Sequence, residues 1–381
     1  MRVLTIAGKY PPASKAGGPV KSLSGLISAE SSRHDICVIT SNRDLGDIRP
    51  MPGTSPSPME REGATIHYLN PRARRAFVRQ LITIGRAQRE VLYLNSLFSP
   101  WFTLLPILLW RLRLIRCPVL LIAPRGELAA TALAIKSAKK TITLRILRRM
   151  LSQSSIVWQA TSDSEEHDIL RFISSAEVVR HDNPWPAPSG IVSDRPRDFT
   201  AVFVGRISAI KNPLTAIDAL MKVDSPTTFI AMGNEEDVRL SRTMHSLAEQ
   251  LPPSVNSKLL GHSTDDEVAQ ALRSGHALLL PTSGENFGHA IAEALAAGCF
   301  ILVPDSTPWS SLIRAGAGAF ITPDPSEHNR DLLRSLASES PEQLHCRNLE
   351  AAELYRQAFT EHSRMTQSLF EAAQGAQKAG D

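Results

Sequence analysis

Two glutamates, Glu285 and Glu293, bracket the turn Asn286-Phe287-Gly288 and the start of an apolar helix. The run at 277–280 ahead of them has the length and composition of a buried parallel strand, and residues 287–297 carry apolar side chains at helical spacing. Glu285 is therefore expected in a strand-to-helix loop, with Glu293 roughly 12 Å further along if the helix ran throughout. Between them, the free N–H groups of the first helical turn, near Phe287 and Gly288, suit an anion. Acceptor, anion hole and acceptor, in that order, fit a ligand with sugar hydroxyls, a diphosphate and ribose hydroxyls in line. Paired glutamates at this distance also arise by chance; the strand ahead and the turn are what make the pattern specific.

A second constellation follows the strand expected at 199–204, where Arg206 and Lys211 flank a loop. Open α/β sheets bind ligands at that end of their strands. An arginine fork and a lysine point charge can hold a diphosphate and neutralise it as it leaves. Asn212 reads as the N-cap and Pro213 as the first residue of a helix continuing over 214–221. A third piece is the strand at 3–7 with a loop over 8–19 and a helix from Val20. Gly17 and Gly18 remove side chains where backbone must approach a ligand, and Pro19 starts the helix.

These pieces together resemble the family-4 retaining glycosyltransferases of the GT-B fold, over nearly the whole chain. The resemblance is carried by Gly17-Gly18, by Gly205-Arg206 with Lys211, and by Glu285-Asn286-Phe287-Gly288 through Glu293, followed by Gly298 and a strand at 299–303. It implies an α/β chain of two Rossmann-like domains whose parallel sheets face each other across a cleft. It also implies that Arg206 and Lys211 hold the donor diphosphate, Glu285 meets the donor sugar and Glu293 the ribose. The stretch 122–128, with Lys136, Lys139 and Lys140 beyond, is similar to a subgroup that builds bacterial exopolysaccharides and lipopolysaccharides. Many relatives place a histidine near this region; here Arg125 and Glu127 stand there. Arg125 suits positioning an acceptor or a phosphate and Glu127 orienting an acceptor hydroxyl, or the two simply pair with each other.

At 381 residues the chain exceeds a comfortable single core. The expected division is an acceptor-side domain over 1–190, a donor domain over 196–357, and a terminal helix at about 358–376 that crosses back to the first. The proline-bearing stretch at 183–198 carries no apolar periodicity. The modest net charge of +4 hides a dipole, since residues 1–195 hold 27 Lys and Arg against 15 Asp and Glu. Between Arg72 and Arg149 the balance is 16 to 2, interleaved with Phe98, Trp101, Phe102 and Trp110. That mixture suits an anionic membrane surface or a phosphate-bearing lipid acceptor, or is a solvated basic face over buried apolar residues. Pro106, Arg111, Arg113 and Arg116 break the apolar stretch, so it is not read as a span. No nucleic-acid module is recognisable.

The first residues lack a signal-peptide pattern, so the expected location is the cytoplasm, peripheral on the inner face of the membrane. Cys37, Cys117, Cys299 and Cys346 are scattered; the first three sit among apolar residues as reduced core thiols, and no metal spacing is present. Strand candidates at 36–40, 65–69, 91–94, 119–123, 157–161, 228–232 and 257–260 alternate with helical segments, which implies parallel sheets with helical crossovers. Residues 51–58 read as an exposed loop. The end of the chain, from about 341, reads as helical with Leu354, Phe359, Met365 and Phe370 as apolar positions.

The expected reaction moves a sugar from a nucleoside-diphosphate sugar to a glycan or polyprenyl-diphosphate-linked saccharide, with retained configuration, no cofactor and no metal, as part of cell-surface polysaccharide synthesis. No residue presents itself as a covalent nucleophile. His289 either touches the donor or meets solvent, and Trp309 either walls the pocket or packs against the domain. The rival readings are a nucleotide-sugar epimerase of similar architecture and a noncatalytic sugar-binding protein. The joint presence of Arg206, Lys211 and Glu285 argues against the latter. A dinucleotide oxidoreductase lacks its Gly-x-Gly-x-x-Gly fingerprint.

Overall fold

The computed structural model describes residues 1–15, 17–129, 133, 144, 147, 148, 151, 156–189 and 195–380. Lys136, Lys139, Lys140 and Arg149, read above as part of the basic stretch, lie outside these. The chain separates into two compact units, Met1–Pro184 with Thr366–Asp381, and Trp185–Met365.

The first unit contains β1 (Arg2–Ala7), β2 (Asp35–Ser41), β3 (Met59–Arg61), β4 (Ala64–Leu69), β5 (Val91–Asn95), β6 (Val119–Ala123), β7 (Ile156–Ala160) and β8 (Glu177–Arg180). They form one sheet in the order β3-β4-β2-β1-β5-β6-β7-β8. All pairs are parallel except β3 with β4. Every residue of β5, β6 and β7 is buried, as parallel strands covered on both faces must be. Such strands read as continuous apolar runs, which is why the sequence shows them. The edge strands β3 and β8 were not foreseen: Met-Glu-Arg and Glu-Val-Val-Arg are short, partly exposed and carry charges, as edges do.

The second unit contains β9 (Phe199–Val204), β10 (Thr227–Met232), β11 (Val255–Gly261), β12 (Ala277–Leu279), β13 (Phe300–Val303) and β14 (Gly318–Phe320). They pair in parallel in the order β11-β10-β9-β12-β13-β14. Parallel register leaves the loops after β9, β10 and β12 at the same edge of the sheet, so residues far apart in sequence become neighbours there.

The end of the chain differs from expectation. The helix Pro341–Met365 belongs to the second unit throughout, and the first unit resumes at Thr366 with a separate helix, Leu369–Gly380. The single crossing helix expected at 358–376 is thus two helices with a break between them. Leu369, Phe370 and Ala373 are fully buried against the first unit's core. The buried Glu30 carboxylate fixes the break, accepting from Leu369 N at 2.8 Å and Ser368 Oγ at 2.7 Å. Met365, read as apolar packing, is 70% exposed.

Cys37, Cys117 and Cys299 are buried and Cys346 is exposed, all as free thiols. His276, just ahead of β12, is buried, and its Nδ1 accepts from Thr200 N at 3.0 Å. Burial pushes its pKa from 6.5 down to about 4, and the charge of Arg195 adds to the push. The unfolded chain therefore binds this proton near pH 6.5 and the folded chain only near 4. Between those values the unfolded state holds more protons, so stability falls as pH drops through that window. Urea midpoints measured across it are expected to decline less steeply in His276→Gln than in the wild type, and equal slopes would remove His276 from the account.

Candidate functional site

β9 ends at Val204, and the chain runs through Gly205 and Arg206 into a single turn at Ala209–Lys211 before the helix Pro213–Asp218. After β12, residues 281–288 lead to the helix His289–Ala296. The two loops are stitched together: Ser283 N and Thr282 Oγ1 donate to Ile210 O at 2.8 and 3.1 Å. Asn212 Nδ2 donates to Pro281 O at 3.0 Å and to Ser283 Oγ at 2.7 Å. Asn212 therefore does not cap its helix as expected. It sits at φ 47° with no capping bond, because its amide is spent across the loops. Pro213 does open the helix.

The stitching brings Lys211 and Glu285, 74 residues apart, into an ion pair. Their side chains are only 16% and 10% exposed. At that burial the pair is held rather than loosely sampled, and its charges are weakly screened.

The helix bearing Glu293 begins at His289, later than the expected 287. Gly288, at φ 79°, turns the chain into it. Ile291 N and Ala292 N already donate to Gly288 O, so those two amides are engaged within the first helical turn. The straight-helix spacing between the two glutamates does not hold, because Glu285 lies in irregular loop. Trp309 sets the turn: it is 3% exposed, its Nε1 donates to Phe287 O at 2.6 Å, and its ring meets Phe287 edge-on at 5.5 Å. Trp309 is thus a packed buttress rather than a pocket wall. The His289 ring lies 4.7 Å from that of Phe287, and Asn286 is exposed.

Arg206 leaves β9 toward the loop after β10, where Nη1 donates to both oxygens of Glu236 at 3.0 and 2.8 Å. Both side chains are about half exposed, so this pair is weak and open to exchange. Glu236 was not foreseen, though the sequence Gly233-Asn234-Glu235-Glu236 directly after a strand was a visible signal. Gly233, at φ 152°, lets the backbones after β9 and β10 touch: a Cβ there would collide with the Gly205 carbonyl.

In the first unit, Gly17 adopts φ 63° ahead of the helix Gly18–Glu30, with open space where a Cβ would stand. The loop before it is pinned: Asp44 Oδ2 accepts from Ser14 N at 2.8 Å and Lys15 N at 3.1 Å, and Lys15 Nζ meets Asp47 Oδ1 at 2.6 Å. Arg125, at φ 56° after β6, donates to Asn95 Oδ1, Asn183 Oδ1 and Tyr93 OH at 2.6, 2.7 and 2.7 Å. Tyr93 OH passes the chain on to Gln159 Oε1 at 2.8 Å. Glu127 instead accepts from Leu97 N at 2.6 Å, Phe98 N at 3.2 Å and Ser96 Oγ at 3.1 Å. The two do not pair with each other; each braces a different piece of backbone or side-chain network. Among the described residues no group of three or more His, Cys, Asp or Glu could hold a metal ion.

Residues 191–351 match the family described as glycosyl transferases group 1. No curated protein matches the sequence. Among solved structures, the chain is similar to a sucrose-phosphate synthase from Thermosynechococcus elongatus, at 15% identity and TM-score 0.67, with 96% of this chain and 97% of that one covered. It is similar to HepE of Anabaena in complex with UDP and glucose, at 15% identity and TM-score 0.67, with 100% and 99% covered. It is also similar to WaaG, a glycosyltransferase involved in lipopolysaccharide biosynthesis, at 17% identity and TM-score 0.61, with 100% and 99% covered. The fold is therefore the GT-B fold, and the match to the glycosyl transferases group 1 family falls within its second unit.

Proposed function

We propose that the protein is a retaining glycosyltransferase that takes a sugar from a nucleoside-diphosphate sugar, with the donor bound to the second unit at the edge shared by β9, β10 and β12. The observation that carries this is the Lys211–Glu285 pair, enclosed where the two loops are stitched together. A donor brings its own diphosphate and hydroxyls, so it can exchange with that pair: Lys211 turns to the diphosphate and Glu285 accepts from sugar hydroxyls. Arg206 exchanges Glu236 for a phosphate oxygen, and the amides around Gly288 and His289 add their positive helix end. As the anomeric bond breaks, these groups bind the departing diphosphate more tightly than the intact donor, which lowers the barrier. The same cations supply the charge compensation a divalent metal would otherwise bring. The acceptor attacks from the face the diphosphate vacates, which retains configuration. Gly17 and Gly18 are assigned to donor binding, where the lack of a side chain lets backbone approach, and Arg125 and Glu127 to the acceptor side. The acceptor is a saccharide, and a polyprenyl-diphosphate-linked one in cell-surface polysaccharide synthesis is the form to test first.

HepE binds UDP-glucose, which makes that donor the first probe. Calorimetry with UDP-glucose and with other nucleoside-diphosphate sugars is expected to find one that binds, and Glu293→Ala to weaken that binding by roughly tenfold through the lost ribose contact. An unchanged dissociation constant would take Glu293 out of the site. Turnover of the binding donor should need an acceptor and persist in chelator. Conversion of the donor alone into an isomer would instead indicate epimerisation.

A further inference from the structure

The second unit contains a row of aromatic rings that ends at the turn proposed to hold the donor. The chain passes from the first unit to the second between Pro184 and Trp185, and the half-buried Trp185 begins the row. Its ring stacks nearly parallel to those of Tyr355 and His362, at 17° and 16°, with centroids 5.7 and 4.5 Å away. Both partners belong to the helix Pro341–Met365. Tyr355 is fully buried, and its hydroxyl donates to Pro186 O at 2.7 Å, which fixes the backbone beside Trp185. With its plane set by these two rings, Trp185 meets the Trp309 ring at 4.6 Å. Trp309 carries the row to the turn: its Nε1 donates to Phe287 O at 2.6 Å, and a Cβ at Gly288 would lie 3.4 Å from that same nitrogen. The Phe287 ring in turn lies 4.7 Å from that of His289.

An indole has a single N–H donor and no acceptor, so Trp309, 3% exposed, would leave a buried donor unpaired if it lost Phe287 O. Its ring therefore shifts only by taking Phe287 along or by breaking that bond. Close-packed interiors pass such shifts on to their neighbours rather than absorb them. We propose that Trp185 is a positioning residue for the turn at 286–289, acting through Trp309, so that the segment by which the chain enters the second unit sets the geometry of that turn. The order of the turn follows from the ring contacts alone; its consequence for a nucleoside diphosphate rests on the donor site proposed above. Without the Trp185 ring, Trp309 gains room, the turn samples several geometries, and a donor must order it on binding.

Hydrogen exchange of the amides at 286–292 in the full chain, with no nucleotide added, tests the ring contacts by themselves. Trp185→Leu is expected to speed that exchange, and Trp185→Phe, which keeps a ring against Tyr355 and His362, to speed it less. Trp309→Phe keeps a ring but removes the N–H, and should speed it as well. Leu333→Ala, a truncation of a fully buried side chain in the helix Glu327–Ala337, destabilises the same unit elsewhere and should leave exchange at the turn unchanged. Calorimetry with UDP then reads the consequence. Its Kd should rise roughly tenfold in Trp185→Leu, the cost of ordering a short turn on binding, recover most of the way in Trp185→Phe, and keep the wild-type value in Leu333→Ala. Exchange that responds to Trp185 in a chain that binds neither UDP nor UDP-glucose would uphold the positioning and sink the proposed function instead. Exchange unchanged in both Trp185→Leu and Trp309→Phe, a turn loosened as much by Leu333→Ala, or a Kd for UDP that Trp185→Leu leaves where it was would overturn the proposal.

Discussion

Lys211→Ala is expected to lower kcat/KM for sugar transfer by about 10²–10³-fold, comparable to removing one preorganised group from a site of developing negative charge. The lysine is nearly enclosed and fixed by the turn that Ile210 and Asn212 hold against the loop after β12, so no mobile surface cation can take its place. Its loss also leaves Glu285 without the charge it now faces, which places a bare carboxylate where an anionic ligand must bind. Lys211→Arg restores charge without the same reach and should recover part of the rate. Turnover of Lys211→Ala within a few-fold of the wild type, in protein whose thermal midpoint is unchanged, would remove Lys211 from the diphosphate site and take the exchange with Glu285 down with it.

The second large effect is expected from Gly233→Ala, a change of one methyl group on a residue that contacts no ligand in the proposal. The new Cβ would overlap the Gly205 carbonyl, and the backbone at φ 152° is one that alanine rarely adopts. Strain and overpacking each contribute about 1–3 kcal/mol, and neither atom is the soft end of a side chain. Relief must come from separating the loops after β9 and β10, which carry Arg206 and Glu236. A fall of about 3 kcal/mol in unfolding free energy, followed in urea, should accompany loss of donor binding. A variant as stable as the wild type that binds donor normally would show that the close approach of these loops is dispensable.

Much of the fold was legible because buried parallel strands announce themselves. β6 and β9 have the bounds expected from their apolar runs, and the alternation of strand and helix in both units implied parallel sheets. The edge strands β3, β8 and β14 were not legible: each has four residues or fewer and presents exposed or half-exposed side chains, so neither burial nor alternation marks them. The break before Leu369 escaped notice for a related reason. Helical periodicity continues on both sides of it, and what ends the first helix is tertiary, the capture of Ser368 and Leu369 by the buried Glu30.

The candidate site divides along the same line. Composition and order in the chain determined which residues follow strands, and therefore that Arg206, Lys211, Glu285 and the glycines at 17 and 288 lie in the connections at strand ends. Only the tertiary structure decided their partners. Lys211 meets Glu285, Arg206 meets Glu236, Arg125 meets three neutral acceptors rather than Glu127, and Asn212 sews two loops instead of capping a helix. The physical reason is that a residue's place in a strand or helix depends on burial pattern over a few neighbours, whereas its hydrogen-bond and charge partners depend on sheet order, which sets residues 74 positions apart side by side.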